Sequence, residues 1–389
     1  MKGRIKLRHL IICGISAICI IISLILFLVC RSQINDLDHQ QMARRWSEDG
    51  GYSQVSVFYT YNAGFTADRV PELRYNIDKK LTDASLEGSY AERTWLDCYS
   101  VSQSLTLTTA GGKTSANTVY GIGGDWFQFH PLRLISGSYF AESDLMHDLI
   151  VIDELTAWNL FGSNNCVGMT VEISGLPYII CGVVQADDSE VNALATGKGP
   201  VAYMAFDMLA EGTTAHCYEA LLPQPIPGFA LDTVKNVLGS YDSNALFIEN
   251  TDRFSIENEY NVLKNMPTRS MQTVPVVYPY WENAARLTES RLAFQYLAIL
   301  LLMLVPILSA AVWVVLLWKR RKWRFSGIKN KVSDSIYDAS CKRASGKTKL
   351  FGSKTKGKHE KARKKDEKTH KADKPAADAD NASEPGSVQ

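Results

Sequence analysis

Residues 10–29, LIICGISAICIIISLILFLV, and residues 292–318, LAFQYLAILLLMLVPILSAAVWVVLLW, carry no charged side chain. Roughly 20 apolar residues rising about 1.5 Å each cross the ~30 Å hydrocarbon core of a bilayer, so both runs qualify as membrane spans. Lys2, Arg4, Lys6 and Arg8 precede the first run. That run exceeds the ~7–15 apolar residues of a cleaved signal, and no small-x-small site follows it, which predicts an uncleaved anchor. Bulky Val29 before Cys30 argues against lipoprotein processing. In the second run Pro306 predicts a kink, tolerated where neighbours satisfy the freed carbonyl. Trp313, Trp318 and Trp323 mark its inner interface.

Charge orients the two spans. Lysines and arginines number 4 before the first run, 17 from Arg31 to Arg291 and 21 from Lys319 onward, against 32 acidic residues in the middle and 9 after it. The middle therefore carries −15 and the C-terminal segment +12, although the whole chain has a formal net charge of +1. The positive-inside rule then puts both ends in the cytoplasm and the middle outside. No Asn-x-Ser/Thr sequon occurs in that middle, which favours a bacterial cytoplasmic membrane.

The expected division is a cytoplasmic N-terminus (1–9), a first span (10–30), a stalk (31–51), an extracytoplasmic domain (52–280), a stalk helix (281–291), a second span (292–318) and a basic cytoplasmic tail (319–389). Ile34, Leu37, Met42 and Trp46 recur at near-helical spacing, so the first helix is predicted to continue to about Asp49. The tail has almost no apolar residue after Phe351 and is predicted to be disordered. Neither folded nor patterned with aromatics, it does not read as nucleic-acid binding. Its first basic cluster, Lys319 to Lys322, lies beside anionic membrane lipid.

Within the domain, Tyr52–Thr60 reads as a strand, Asp68 to Leu81 as a helix with Val70, Leu73, Ile77 and Leu81 on one face, and Thr94–Thr109 as one or two strands. The pattern recurs as a strand at Cys217–Leu222, a helix through Leu231, Val234, Val237 and Leu238, and a strand at Ala245–Glu249. Two such units can share one sheet, so the fold class is α+β, a split βαβ arrangement. Between them lies an inserted β-rich lobe, about 121–203, with a helix after Asp153 stopped by Gly162 and a hairpin turning at Ser174 to Pro177.

Chemistry is hard to find in this domain. Gly121, Gly123 and Gly124 read as an ordinary glycine-rich loop, because the third glycine of a nucleotide-binding turn is displaced and no helix is expected after it. His39, His130, His147 and His216 show no zinc-pair spacing. The acidic stretch Asp187-Asp188-Ser189-Glu190 lacks the turn of a calcium loop. Nucleophile-elbow and phosphate-loop motifs are absent. No catalytic, cofactor-binding or metal-binding residue is expected, and the chain does not read as an enzyme. Cys98, Cys166, Cys181 and Cys217 could pair in three ways, but without a CxxC and with Cys181 in an apolar strand they are predicted to be buried free thiols.

The order of motifs from Gly121 to Val184 carries a resemblance. A Gly-x-x-x-x-aromatic-Phe stretch (Gly121 to Phe127) is followed by a Leu-x-x-Gly-x-x-Phe turn (Leu134 to Phe140), a strand and short helix ending in Phe-Gly (Ile150 to Gly162), and a Val-Gly hairpin ending in Gly-Val-Val (Val167 to Val184). This resembles the MacB-like periplasmic core domain of type VII ABC transporter permeases, truncated here to two membrane spans. The resemblance implies a porter-like domain and a non-catalytic subunit that couples a cytoplasmic ATPase to movement outside. The partners implied are an ABC ATPase, another permease subunit or a second copy. Arg320, Arg321, Lys322 and Arg324 stand where that family docks its ATPase, in a segment that echoes the family's coupling helix only faintly. The rival reading is an extracytoplasmic binding or sensing protein without an ATPase.

Overall fold

The computed structural model describes residues 7–47, 50–61, 63–86, 93–186, 190–196, 199–269 and 276–347. The first helix, α1 (Leu7–Asn35), ends earlier than its apolar spacing predicts, and a helical turn (Asp38–Gln40) and a short α2 (Met42–Trp46) follow. Gln41 braces the break: its Nε2 donates to Ile34 O at 2.6 Å and Leu37 O at 3.3 Å, beside the backbone bonds those carbonyls accept from Leu37 N and Gln40 N. Leu37 is buried against Ala284 and Ala285 of the C-terminal helix.

The domain then runs β1 (Tyr52–Phe58), α3 (Val70–Asp83), β2 (Leu96–Thr109), β3 (Thr114–Gly124), α4 (Trp126–Phe129), β4 (Leu134–Gly137), β5 (Leu149–Asp153), α5 (Glu154–Phe161), β6 (Thr170–Ile173), β7 (Leu176–Val184), α6 (Glu190–Thr196) and β8 (Val201–Ala205). It continues with β9 (Cys217–Pro223), α7 (Phe229–Leu238), β10 (Leu246–Glu249), α8 (Ile256–Lys264), α9 (Met266–Arg269) and α10 (Tyr280–Lys347). Asp153 caps α5 by accepting from Thr156 N, and Gly162 ends it in the left-handed conformation.

The ten strands among the described residues join one mixed sheet in the order β10-β1-β9-β2-β3-β8-β5-β7-β4, with β6 bridging β2 and β7. β9 lies between β1 and β2, and β1 lies between β9 and β10, each pair antiparallel, so the two strand-helix-strand units interleave. Alternation along the strands gives two faces. Val55, Val57, Tyr99, Tyr218 and Ala220 pack against Leu73 and Ile77 of α3 and Val234 and Leu238 of α7. Phe58, Leu96, Cys98, Cys217 and Leu221 point the other way and are covered by Met42 of α2, Trp126 and Phe129 of α4 and Trp281 of α10. The membrane-linked elements thus roof the face opposite α3 and α7. A third core, with Ile150, Leu160, Ile180 and Met204, fills the lobe.

Two expectations are corrected. The glycines at 121, 123 and 124 are not a loop but the end of β3, and the helix α4 does follow them. They are small because neighbours sit on them: a Cβ at Gly121 would meet Leu209 Cδ1 at 2.2 Å, and one at Gly123 the Tyr99 ring at 2.2 Å. The tail, expected to be disordered from residue 319, is helical to Lys347. Extending an existing helix avoids the nucleation cost, and no proline interrupts residues 319–347. Residues 187–189 of the acidic stretch and 348–389 of the tail lie outside the described residues.

Gly124 and Gly112 separate two costs. Both have positive φ, but a Cβ at Gly124 would also stand 2.3 Å from Asp97 O, whereas Gly112 faces open space. Gly112→Ala is expected to destabilise by about 1 kcal/mol from backbone conformation alone, and Gly124→Ala by clearly more, read as melting temperatures of the purified full chain. Equal shifts would refute the close approach of β3 to β2 at this point.

Candidate functional site

Among the described residues two helices, α1 and α10, are long and apolar enough to cross a membrane, and they lie against each other. Ser16 Oγ meets Ser309 Oγ at 3.1 Å, Cys30 Sγ donates to Gln295 Oε1 at 3.2 Å, and the His9 ring stands edge-on to Trp313. Ser16, Ser23 and Cys30 are the buried residues of α1, spaced by seven, with Leu37 continuing the series. A seven-residue period keeps one seam on a partner helix. Small and weakly polar residues suit such a seam in lipid, where close approach and hydrogen bonds replace the hydrophobic force.

Both helices are tied to the extracytoplasmic domain. From the α1 side, Gln54 of β1 donates Nε2 to His39 O at 2.8 Å and accepts from Met42 N at 2.9 Å, and Gln40 Nε2 reaches Trp281 O at 3.0 Å. Arg45 Nη2 donates to Gln128 O and Phe129 O at 2.9 and 3.0 Å. From the α10 side, Arg253 binds Glu282 through both oxygens at 2.7 Å and donates Nε to Glu289 Oε1 at 2.6 Å, while Arg269 pairs with Glu289 as well. Arg253 and both glutamates are buried. Removing one member of such a buried ion group typically costs about 3–5 kcal/mol, because the remaining charge is left unpaired.

Beneath the stalk, on the sheet face it covers, lies a buried polar cluster. His39 Nδ1 and His130 Nδ1 are 3.0 Å apart, and His130 Nε2 stands 2.6 Å from Glu219 Oε2. Glu219 Oε1 accepts from Ser56 Oγ at 2.5 Å and Gln54 Nε2 at 3.2 Å, and Asn250 Nδ2 donates to Ser56 Oγ at 2.7 Å. Burial, with His130 and Arg45 nearby, holds His39 well below the ordinary imidazole range. Cys98 adjoins the cluster, so Cys98, His130 and Glu219 place thiol, imidazole and carboxylate atoms within 4.8 Å of one another. Sequence spacing could not show this, because the three residues come from β2, the end of α4 and β9.

At the end of β3 a cavity of about 260 Å³ opens between the turn preceding α3 and the lobe. Tyr99, Trp126, Phe127, Phe140 and Phe206 supply its apolar wall, and Glu142, His147 and Asp207 its polar groups. Those groups are already engaged: Glu142 accepts from Arg74 and Tyr99, and His147 pairs with Asp207, which raises the His147 imidazole. The cavity offers shape and aromatic surface, with no nucleophile and base in contact.

Residues 10–235 match the model of the MacB-like periplasmic core domain. The chain belongs to this family. Its relatives include an uncharacterized ABC transporter permease, YvrN, of Bacillus subtilis, 22% identical over 184 residues that make 46% of this chain and 42% of the relative. The macrolide export ATP-binding/permease protein MacB of Pasteurella multocida is 35% identical over 81 residues, 20% of this chain and 12% of the relative. The chain thus spans less than half the length of these relatives. Among solved structures, the periplasmic region of MacB from Actinobacillus actinomycetemcomitans aligns over 56% of this chain and 94% of that one, with 14% identity and a TM-score of 0.38. The extracellular domain of the noncanonic ABC-type transporter YknZ from Gram-positive bacteria covers 50% and 99%, with 17% identity and a TM-score of 0.35.

As a MacB-like, ABC-permease-like protein, the chain is a membrane protein whose sheet domain lies outside the cytoplasm. The family match takes in α1, the stalk cluster and the cavity, and ends within α7. The predicted docking residues Arg320, Arg321, Lys322 and Arg324 fall on α10, where only the backbone is described. The four external cysteines are free thiols, three of them buried.

Glu259 of α8 belongs to the same membrane-proximal region. It is 1% exposed, neither oxygen has a hydrogen-bond partner, and burial raises its carboxyl to about 7 against the pull of Arg269 and Arg253. A raised acid favours folding at pH below its unfolded value, and that contribution is lost as pH rises through about 7. Glu259→Gln is therefore expected to raise the melting temperature of the full chain at pH 8, with the gain shrinking toward pH 5. A gain independent of pH would show that Glu259 does not titrate there.

Proposed function

We propose that this chain is a non-catalytic, permease-like subunit that transmits the action of a cytoplasmic ATPase to its extracytoplasmic sheet. The observation that carries this reading is the double anchorage. α1 and α10 pack on each other; the stalk after α1 is tied to β1 through Gln54, and α10 is tied to the loop after β10 through Arg253, with Trp281 packed under the covered sheet face. Helix movement in the bilayer is then delivered to the domain. The interleaved β10-β1-β9-β2 order supports reading that domain as a porter-like split βαβ fold with an inserted lobe. Charge asymmetry supports both ends lying inside. Relatives whose names join ATP-binding and permease functions support an ABC ATPase as partner. Another permease subunit or a second copy of this chain would complete the assembly.

If the segment after the second span docks that ATPase, replacing Arg320, Arg321, Lys322 and Arg324 with Gln abolishes its co-purification from membranes, and deleting residues 354–389 leaves it unchanged. The opposite pattern would overturn coupling at this segment and assign it to the tail. Cysteine labelling of intact cells should reach a cysteine placed at Ala195 and fail to reach one at Lys354.

The aromatic cavity favours a second reading, a binding or sensing protein that acts without an ATPase. Recovery of no ATPase from native membranes, together with a ligand that perturbs Trp126 fluorescence, would favour it.

A further inference from the structure

Cys98 and Glu219 are directly opposite each other in the antiparallel β2–β9 pair, so their side chains emerge side by side on the face that the stalk covers. His130, the residue that closes α4, enters the same space from above the sheet. All three are buried, at 1%, 1% and 0% exposure for Cys98, Glu219 and His130. His130 Nε2 and Glu219 Oε2 face each other as a close ion pair at 2.6 Å, without hydrogen-bond alignment. An imidazole and a carboxylate buried face to face, converging with a thiol within 4.8 Å, form a compact set of three possible ligands.

We propose that Cys98, His130 and Glu219 form a zinc site that locks the membrane-side stalk onto the sheet. The donor set decides the metal. A thiolate with an imidazole suits a borderline-soft ion and excludes magnesium and calcium, which take oxygen ligands. One thiolate and one carboxylate neutralise a divalent charge that the interior could not otherwise hold. Zinc lies about 2.0–2.1 Å from nitrogen, about 2.0–2.2 Å from carboxylate oxygen and about 2.3 Å from sulfur, so the His130 and Glu219 atoms must separate to roughly 3.3 Å. The carboxylate must turn to supply this, and the three donors, now within 4.8 Å of one another, must close around the ion.

The surrounding groups are already arranged for ligation. Ser56 and Gln54 occupy Glu219 Oε1 and leave Oε2 for the ion. Binding through Nε2 leaves His130 Nδ1 to donate to His39 Nδ1, an outer contact that would fix the tautomer as a carboxylate or carbonyl does elsewhere. His39 belongs to the helical turn between α1 and α2, and its carbonyl accepts from Gln54. An ion bound here draws β2, β9, the end of α4 and the stalk into one rigid unit.

The test uses the purified full chain in detergent, incubated with zinc and passed over a desalting column, with metal measured by mass spectrometry. About one zinc per chain is expected, and cobalt in its place should give a thiolate charge-transfer band in the near ultraviolet. Cys98→Ser should lower retained zinc about tenfold or more and remove the band, whereas Cys166→Ser, in the lobe core, should keep both. A folded wild-type chain that retains no zinc and shows no cobalt band overturns the proposal, whatever the variants do. Retention in Cys98→Ser equal to wild type overturns it as well, and leaves His130 and Glu219 as a buried ion pair only.

Discussion

The position of α10 depends on one buried cation. Arg253 lies inside the protein, and a guanidinium there must be neutralised by charges that reach it in the right plane. Glu282 and Glu289, which do this, are seven residues apart on the same helix, two turns along one face. A single residue of slippage would turn both carboxylates away by about 100° and leave the charge unpaired. Both the rotation and the height of α10 are therefore set where it leaves the domain. Trp281, next to the first of these glutamates, is in turn held under the sheet among Trp126, His130 and Tyr120.

The helix pair itself is bound by weaker means. Its described contacts are a serine pair, a thiol to an amide and an edge-on ring, all of the kind that contributes on the order of 1 kcal/mol or less in lipid. At the domain end the same two helices meet a bidentate ion pair and a set of buried amides. The gradient runs from loose in the bilayer to firm at the sheet. Change in helix packing is thus less costly within the membrane than at the junction, which is the arrangement a transmitting element requires.

Much of this was legible in the sequence. Uncharged runs and apolar periodicity located α1, α3, α7, β1, β9 and the hairpin of β6 and β7, since local spacing alone determines which face each residue takes. What escaped is non-local. The cluster of His39, Cys98, His130 and Glu219 and the grouping of Arg253 with Glu282 and Glu289 exist only after the sheet brings distant segments together. The glycines of β3 misled because glycine usually marks a turn, and here it accommodates Leu209 and Tyr99 lying across a strand. One signal was readable and missed: His9, Ser16, Ser23, Cys30 and Leu37, a heptad hidden inside a run rich in isoleucine and leucine.

The lobe is mechanically part of the same body because of β2. This strand of 14 residues pairs with β9 over Leu96 to Ser100 and with β6 over Leu107 to Thr109, while β3 runs beside it from Cys98 to Thr108. At about 3.3 Å per residue it extends roughly 46 Å, from the stalk-covered face to the lobe core. Bending the lobe against the stalk would break ladder hydrogen bonds along β3 and expose Leu107 and Val119, both buried in the lobe core. A displacement that starts at Trp281 or Arg253 therefore reaches β6 and β7 through continuous sheet, without crossing a flexible linker.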